Sequence, residues 1–232
     1  MTDWHSHLLP AVDDGSRSVE ESLSLLSMLR DQGVTDVAAT PHFDPTCDEP
    51  SSFLSRRDAA HALLLGQMSD DSLPAIALGA EVAYFSGISN MAELESLAIG
   101  DTGLLLLEMP MERWGRYTVE EVLRIIRSGR VRPVLAHIER YLCFGNSASI
   151  ATLCDAGAYL QSNASFFIGM RTRRRALMML KKRQIRFLGS DCHSVEARPP
   201  RIAEALDIIV KKLGNNFELY KMQQFSASRR TP

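Results

Sequence analysis

Five of the six histidines in this chain fall directly after short apolar runs, each beside a carboxylate or another histidine in sequence or in pattern. His5 and His7 form an H-x-H pair near the start, and His42 closes Thr40-Pro41-His42. His137 closes Leu135-Ala136-His137, and Asp191 and His193 form a D-x-H pair within Ser190-Asp191-Cys192-His193. Glu81 ends Gly79-Ala80-Glu81, and Glu108 follows four consecutive leucines. Imidazole with carboxylate is the donor set that suits Zn, Mn or Fe. In extended backbone, residues i and i+2 point to one side, so both members of each pair can reach a common site. A glutamate after four leucines must lie deep, and a buried carboxylate needs a partner. Taken singly, each residue has a plain explanation, such as a chance pair or a salt-bridged core group. Eight of them at strand ends are explained by metal binding. They exceed the three or four ligands that one ion takes, so more than one ion is expected. A ninth ligand comes from Asp13-Asp14-Gly15, where one carboxylate completes the cluster and the other holds the loop; Asp14 is the favoured ligand. His61, inside a helical segment, is read as a structural or surface histidine.

The elements that must carry these residues alternate. Apolar, β-rich runs occupy residues 1–5, 34–40, 75–81, 103–109, 133–137, 158–162 and 185–190. Between most of them lie helical signals. Ser18 with Glu21, and Thr118 with Glu121, have capping-box spacing ahead of apolar residues at helical intervals. Residues 53–68 and 165–183 also read as helix, and Pro199-Pro200 can open a last helix. Seven strands alternating with helices predict a parallel α/β domain, either a closed barrel or an open doubly wound sheet. Six of the seven strands deliver a metal-capable side chain at the carboxyl end, the end at which β/α barrels build active sites. Phosphate loops of the G-x-G-x-x-G and G-x-x-x-x-G-K-[ST] kinds are absent from the sequence.

Composition narrows the class. The chain has 232 residues, 45% hydrophobic and 23% charged, which is ordinary for a globular protein and excludes a disordered or fibrous one. No apolar run approaches the roughly 18–20 residues of a membrane span, and no signal peptide is visible. Cysteines 47, 143, 154 and 192 form no C-x-x-C pair and read as reduced cytoplasmic thiols. A net charge of −2 argues against nucleic-acid binding, but the charge is unevenly placed: residues 1–112 hold 19 acids and 4 bases, and residues 113–232 hold 9 acids and 22 bases. One reading is a site that joins carboxylates from the first half to arginines from the second; the plain alternative is solvated faces that differ.

The motifs resemble those of the PHP (polymerase and histidinol phosphatase) family. The blocks Asp3-Trp4-His5-Ser6-His7-Leu8-Leu9-Pro10, Asp13-Asp14-Gly15, Thr40-Pro41-His42, Gly79-Ala80-Glu81, Leu107-Glu108-Met109-Pro110, Ala136-His137-Ile138-Glu139-Arg140-Tyr141 and Ser190-Asp191-Cys192-His193 are similar to those of bacterial PHP-type protein-tyrosine phosphatases, which accompany capsule and exopolysaccharide operons. The resemblance implies a distorted (β/α)7 barrel and a single phosphatase domain over residues 1–224; the Ser/Arg-rich tail over 225–232 reads as frayed from its composition. It implies three divalent ions, Mn first, with Fe or Zn as alternatives. His5, His7, Glu81 and Asp191 would hold one ion; Glu81, Glu108 and His137 a second, with Glu81 bridging; Asp14, His42 and His193 the third. The implied substrate is a phosphotyrosine protein, a cytoplasmic kinase of polysaccharide export. A small-molecule phosphatase such as histidinol phosphatase, or a non-catalytic scaffold module, are the alternatives. The departures are small: Ala11 where such proteins usually have Gly, Phe43 after T-P-H, and Cys192 inside D-x-H.

The chemistry follows from charge. A phosphomonoester dianion resists an anionic nucleophile; divalent cations neutralise its oxygens and lower the pKa of a bound water, giving hydroxide near neutral pH. Arginine adds a two-pronged grip on phosphate. Arg140, three residues after His137, and Arg198, five after His193, are the expected phosphate binders, with Arg201 an alternative to Arg198. Arg113, Trp114, Arg116 and Tyr117 follow Glu108 and could stack on a tyrosine ring or pair with acidic substrate residues; an ordinary loop with a packed Trp is equally consistent. The run Arg171-Thr172-Arg173-Arg174-Arg175 reads as a solvated helix face. Cys192 and Arg198 have the C-x5-R spacing of cysteine-dependent phosphatases, but Asp191 and Glu196 would raise the thiol pKa, and the spacing is read as coincidence.

Overall fold

The computed structural model describes residues 1–219. Short apolar runs form β1 Thr2–Ser6, β2 Asp36–Ala39, β3 His42–Phe43, β4 Ala75–Leu78, β5 Glu81–Ala83, β6 Leu104–Glu108, β7 Arg132–Leu135, β8 Tyr159–Asn163 and β9 Ile185–Gly189. The helices are α1 Val19–Asp31, α2 Pro50–Gln67, α3 Arg116–Ser128, α4 Ser147–Ala156, α5 Ala164–Ile168, α6 Arg173–Lys181 and α7 Ile202–Leu213. Every strand pairing is parallel, in the orders β1-β2-β4 and β3-β5-β6-β7-β8-β9.

The seven expected strand paths become nine strands because the second and third are interrupted, at Thr40-Pro41 and at Gly79-Ala80. Proline cannot donate to a ladder. Its carbonyl still accepts from Glu81 N at 3.0 Å, and Gly79 N donates to Ala39 O at 2.9 Å, so the paths run on through the breaks. In the resumed register His42 faces Glu81. Beyond β9, Asp191 N donates to His5 O at 2.8 Å and His7 N to Cys192 O at 2.9 Å, with Ser6 and Cys192 bridged in parallel. The last path thus lies against the first, the arrangement of a distorted (β/α)7 barrel.

A strand covered on both faces reads as a near-continuous apolar run, as the leucines of β6 do. Leu106, with Trp4, Ala38, Ala77, Val134, Ala136 and Phe187, belongs to one small buried cluster, whereas Leu105 and Leu107 join the large cluster packed with the helices. Glu108 shares the side of Leu106 by the period of two.

Several local expectations hold and several change. The Ser18 Oγ accepts from Glu21 N, as the capping box requires, and α7 begins at Ile202, with Arg201, the residue after the Pro199-Pro200 pair, as its N-cap. The Glu21 carboxylate, however, accepts from Arg17 N. Helix α3 starts two residues before Thr118, with Gly115 as its N-cap, and Glu121 instead accepts from Ser89 N and Oγ. Segment 165–183 is two helices, because the Thr172 hydroxyl and the Arg173 guanidinium take the carbonyls of Phe166, Phe167 and Ile168. Of the basic run, Arg171, Arg174 and Arg175 are exposed. Helix α4 and the 3-10 turns within residues 88–102 had no clear sequence signal. The tail expected from 225 lies outside the described residues.

Candidate metal centre

Glu81 stands at the middle of the site, 1% exposed, with four imidazoles around its carboxylate. Its Oε2 lies 3.0 Å from His5 Nε2, 3.2 Å from His7 Nε2 and 3.2 Å from His42 Nδ1. Its Oε1 lies 2.7 Å from His137 Nε2. Burial opposes its ionisation, but His5, His137 and His7 outweigh that and hold its carboxyl well below the ordinary range.

The remaining expected ligands complete the cluster. Asp191 Oδ1 is 3.7 Å from His5 Nε2 and 3.5 Å from His7 Nε2. Glu108 Oε1 is 3.3 Å from His137 Nε2. Asp14 Oδ1 is 3.6 Å from both His42 Nε2 and His193 Nε2. Among the described residues, donor atoms close enough to share an ion occur in three sets, each within 4.8 Å: His7, Asp14, His42 and His193; His5, His7 and Glu81; and His42, Glu81 and Glu108; Asp191 and His137 fall in none of the three, so these sets differ from the expected groupings. All nine expected ligands are brought together, from strand ends spread over residues 5–193. His61 is remote from them on α2, its Nε2 buried without a hydrogen bond, and burial lowers its pKa.

The two aspartates of the first loop divide as their chemistry requires. Asp13 Oδ2 accepts from His7 Nδ1 at 2.7 Å and from His42 N at 2.9 Å, and its Oδ1 from Gly15 N at 3.0 Å. Burial pushes its pKa up, but the contacts with His7, His42 N and Gly15 N together outweigh that and bring it down to about 2. Asp14 is free of those duties and faces the imidazoles. A Cβ on Gly15 would lie 2.1 Å from His7 O, so this turn admits only glycine. Ala11 holds φ +56°, a conformation that glycine adopts without strain, which accounts for the glycine usual there. His137 (φ +31°) and Asp191 (φ +55°) are also left-handed, strain placed at the site itself.

Whether metal suits this donor set is answered by the ring orientations. Four of the five histidines anchor Nδ1 on an acceptor and turn Nε2 toward the centre. His7 Nδ1 meets Asp13, His5 Nδ1 meets Gln161 Oε1 at 3.3 Å, His193 Nδ1 meets Asp191 O at 3.0 Å and His137 Nδ1 meets the Tyr141 hydroxyl at 3.2 Å. That is how proteins orient imidazoles for metal. The site fits divalent cations.

Two residues of β8 went unrecognised in the sequence. Gln161 and Asn163 are buried, and alternate with Leu160 and Ser162 along the strand. Gln161 Oε1 also accepts from His137 N at 2.5 Å, its Nε2 donates to Asn163 Oδ1 at 2.9 Å, and Asn163 Nδ2 donates to Asp191 Oδ2 at 2.7 Å. Gly189 makes room for this pair: a Cβ there would lie 2.5 Å from His5 Cβ and 2.6 Å from Gln161 Nε2. Two amides ending an apolar strand at period two were the available signal.

The arginines separate cleanly. Arg140 Nη2 lies 2.7 Å and Arg198 Nη2 2.5 Å from Asp191 Oδ2, and Arg198 Nη1 is 3.2 Å from His193 Nε2. Arg201 turns away to Glu204. Trp114 is packed, not presented: it is 5% exposed, its ring lies 5.3 Å from that of Tyr141 and its Nε1 donates to Pro110 O. Cys192 is fully buried, and burial, then Asp3, pushes its thiol pKa far up.

The chain resembles known proteins along nearly its whole length. The family described as "Capsular polysaccharide synthesis, CpsB/CapC" matches residues 1–224. Tyrosine-protein phosphatase CpsB of Streptococcus pneumoniae is 33% identical over 230 residues, covering 92% of this chain and 91% of that protein. Tyrosine-protein phosphatase YwqE of Bacillus subtilis (strain 168) is 28% identical over 222 residues, covering 93% and 86%. A solved chain from the work on YwqE and CpsB, described as unique metal-dependent tyrosine phosphatases, superposes with TM-score 0.79 at 24% identity, covering 95% of this chain and 96% of that one. Histidinol phosphate phosphatase (HISK) of Lactococcus lactis, complexed with Zn, L-histidinol and phosphate, shares the fold at TM-score 0.59 and 14% identity, covering 94% and 95%. By its motifs, its fold and its match along nearly the whole chain, the protein belongs to the CpsB/CapC family of capsular polysaccharide synthesis, within the PHP class that its motifs resemble.

Proposed function

We propose that this protein is a metal-dependent phosphomonoester hydrolase that removes phosphate from phosphotyrosine in a protein. The observation that carries the reading is the ring of Nε2 atoms turned inward around Glu81, with Arg140 and Arg198 on the same carboxylate, Asp191. The names of the relatives support the tyrosine substrate.

His5, His7, Glu81 and Asp191 would hold one ion, Glu81, Glu108 and His137 a second, and Asp14, His42 and His193 a third, most suitably Mn, with Fe or Zn fitting the same donors. Bound divalent cations supply charge neutralisation for the phosphoryl oxygens and acidify water. The protein's own groups do the rest. Asp13, Gln161, Tyr141 and the Asp191 carbonyl fix the rings, so Nε2 of each is presented without rearrangement. Arg140 and Arg198 each retain N–H groups beyond their bond to Asp191, and these grip the phosphate oxygens. The side chain of Arg140 is 36% exposed and that of Arg198 44%, which leaves both heads open to a ligand.

The reading includes one catalytic domain over residues 1–224, a cytoplasmic location and, as substrate, a tyrosine kinase of polysaccharide export. No helix among the described residues is long and apolar enough to cross a membrane. Parallel assays on a phosphotyrosine peptide and on histidinol phosphate test it. Turnover of the peptide that is abolished by chelation is expected; turnover of histidinol phosphate alone would replace it with a small-molecule phosphatase, and turnover of neither would leave a scaffold.

A further inference from the structure

The loops that follow β6 and β7 are locked together. Asn146, 1% exposed, accepts from Trp114 N at 2.9 Å and donates to Glu112 O at 2.9 Å and to Tyr141 O. The Tyr141 hydroxyl accepts from Met109 N at 2.9 Å, and its ring packs on Trp114. Trp114, Tyr141 and Asn146 are therefore the buried scaffold of one rigid platform, and its two loops begin at Glu108 and His137. What the platform turns outward is unlike an ordinary solvated loop. Met111 is 44%, Tyr117 86% and Phe144 36% exposed, and Arg113 and Arg116 are exposed beside them. Scattered apolar residues need no explanation, but several on one anchored pair of loops next to a site mark a contact surface.

We propose that this platform docks the acidic residues that flank the phosphotyrosine of the protein substrate; the inference rests on the phosphotyrosine reading above. Charge selects the occupant. Neither Arg113 nor Arg116 is within 4.0 Å of a carboxylate among the described residues, and the nearby acids are Glu112 and Glu120, the latter engaged by Arg127. The loop after β3 is acidic, but two of its three acids are committed internally: Asp44 accepts from Thr46 N and Oγ1, and Asp48 pairs with Arg56, while Glu49 is exposed. Available cations and exposed apolar surface thus coincide on the β6–β7 side, whereas available carboxylates do not accumulate opposite. An acidic segment gains on the platform, and a basic one meets Arg113, Arg116 and Arg140 as like charges.

Two phosphotyrosine peptides of equal length, one flanked by glutamates and one by lysines, test this with the metal-loaded full chain, alongside p-nitrophenyl phosphate. The wild-type protein should show kcat/KM about tenfold higher for the glutamate peptide, a preference that shrinks at high salt. The double change Arg113→Glu with Arg116→Glu should erase or invert the preference and leave p-nitrophenyl phosphate hydrolysis within about twofold, since rim charges act on encounter rather than on chemistry. Tyr117→Ala should raise KM for both peptides alone. Equal rates on the two peptides, or a double variant that loses p-nitrophenyl phosphate turnover in step with peptide turnover, would overturn the docking proposal while the phosphotyrosine reading stands. Cleavage of p-nitrophenyl phosphate and histidinol phosphate but of neither peptide would overturn both.

Discussion

Arg140 is bound to Asp191: its Nη2 donates to Oδ2 at 2.7 Å, and Asp191 is 3% exposed. The bond fixes one edge of the guanidinium beside the expected ions and leaves the other edge for a ligand. Arg140→Ala should lower kcat/KM about 10²–10³-fold, the scale for loss of one preorganised donor, with bound metal near the wild-type content. Arg140→Lys should recover little, because an ammonium cannot reproduce the fork. A parallel fall in metal content would mean that Arg140 acts by holding Asp191 in place.

Prolonged chelation should abolish phosphatase activity, and Mn²⁺ should restore it better than Mg²⁺, because imidazole-rich sites disfavour Mg²⁺. Glu81→Ala should be among the most damaging changes, since four imidazoles converge on that carboxylate. Metal analysis and activity of the reloaded variants check both. Full activity in thoroughly stripped protein would refute the metal reading.

Metal uptake should strengthen as pH rises. In the stripped protein burial disfavours charge on His7, but hydrogen bonds to Asp13 and Glu81 prevail and hold its pKa up at about 10. Burial likewise disfavours charge on His137, but Glu108 and Glu81 prevail and hold its pKa up at about 9. A histidine pKa raised above its unfolded value of 6.5 adds stability that is complete below 6.5 and is lost as pH climbs through about 9 to 10. Stripped protein should therefore lose Tm between pH 7 and 10, whereas loaded protein should not. At pH 7.5, loading should release roughly two protons, read by calorimetry in buffers of different ionisation enthalpy.

Gln161 and Asn163 contact no expected substrate atom, yet they hold His5, His137 and Asp191. Gln161→Ala and Asn163→Ala should each weaken metal affinity about 10–100-fold, seen in Mn²⁺ titrations. Arg201→Ala, whose side chain turns to Glu204, should change neither affinity nor rate.

Cys192→Ser should keep most of the activity, and thiol alkylation should inhibit weakly at most. The sulfur is fully buried, burial and Asp3 keep it protonated, and Arg198 reaches Asp191 and His193 instead. A folded, fully metallated but inactive Cys192→Ser protein would favour attack by the cysteine thiolate.

The types of the clustered side chains were legible in the chain because each depends on local rules. An apolar run declares a strand, and a polar residue at its end, or a pair at i and i+2, declares a direction. His5, His7, His42, Glu81, Glu108, His137, Asp191 and His193 needed nothing more to be singled out as candidates, and the Ser18 cap and the Pro199-Pro200 helix start were read by equally short-range signals. Grouping the donors is a different problem. That His42 faces Glu81 follows from the parallel register resumed after Pro41, and that Asp191 reaches His5 and His7 follows from β1 lying against the end of β9. Registers between strands tens of residues apart are set by packing over the whole sheet, which no local spacing encodes. The same holds for Asp13, tied to His42 N across 29 residues, and for Trp114, whose partner Asn146 lies 32 residues away. Thr118 obeyed the capping pattern and still lost the helix start, because Glu121 had a stronger claim on Ser89 from another part of the chain. Residue chemistry and strand direction are properties of short windows; which groups meet, and which arginine faces the centre, are properties of the assembled strands.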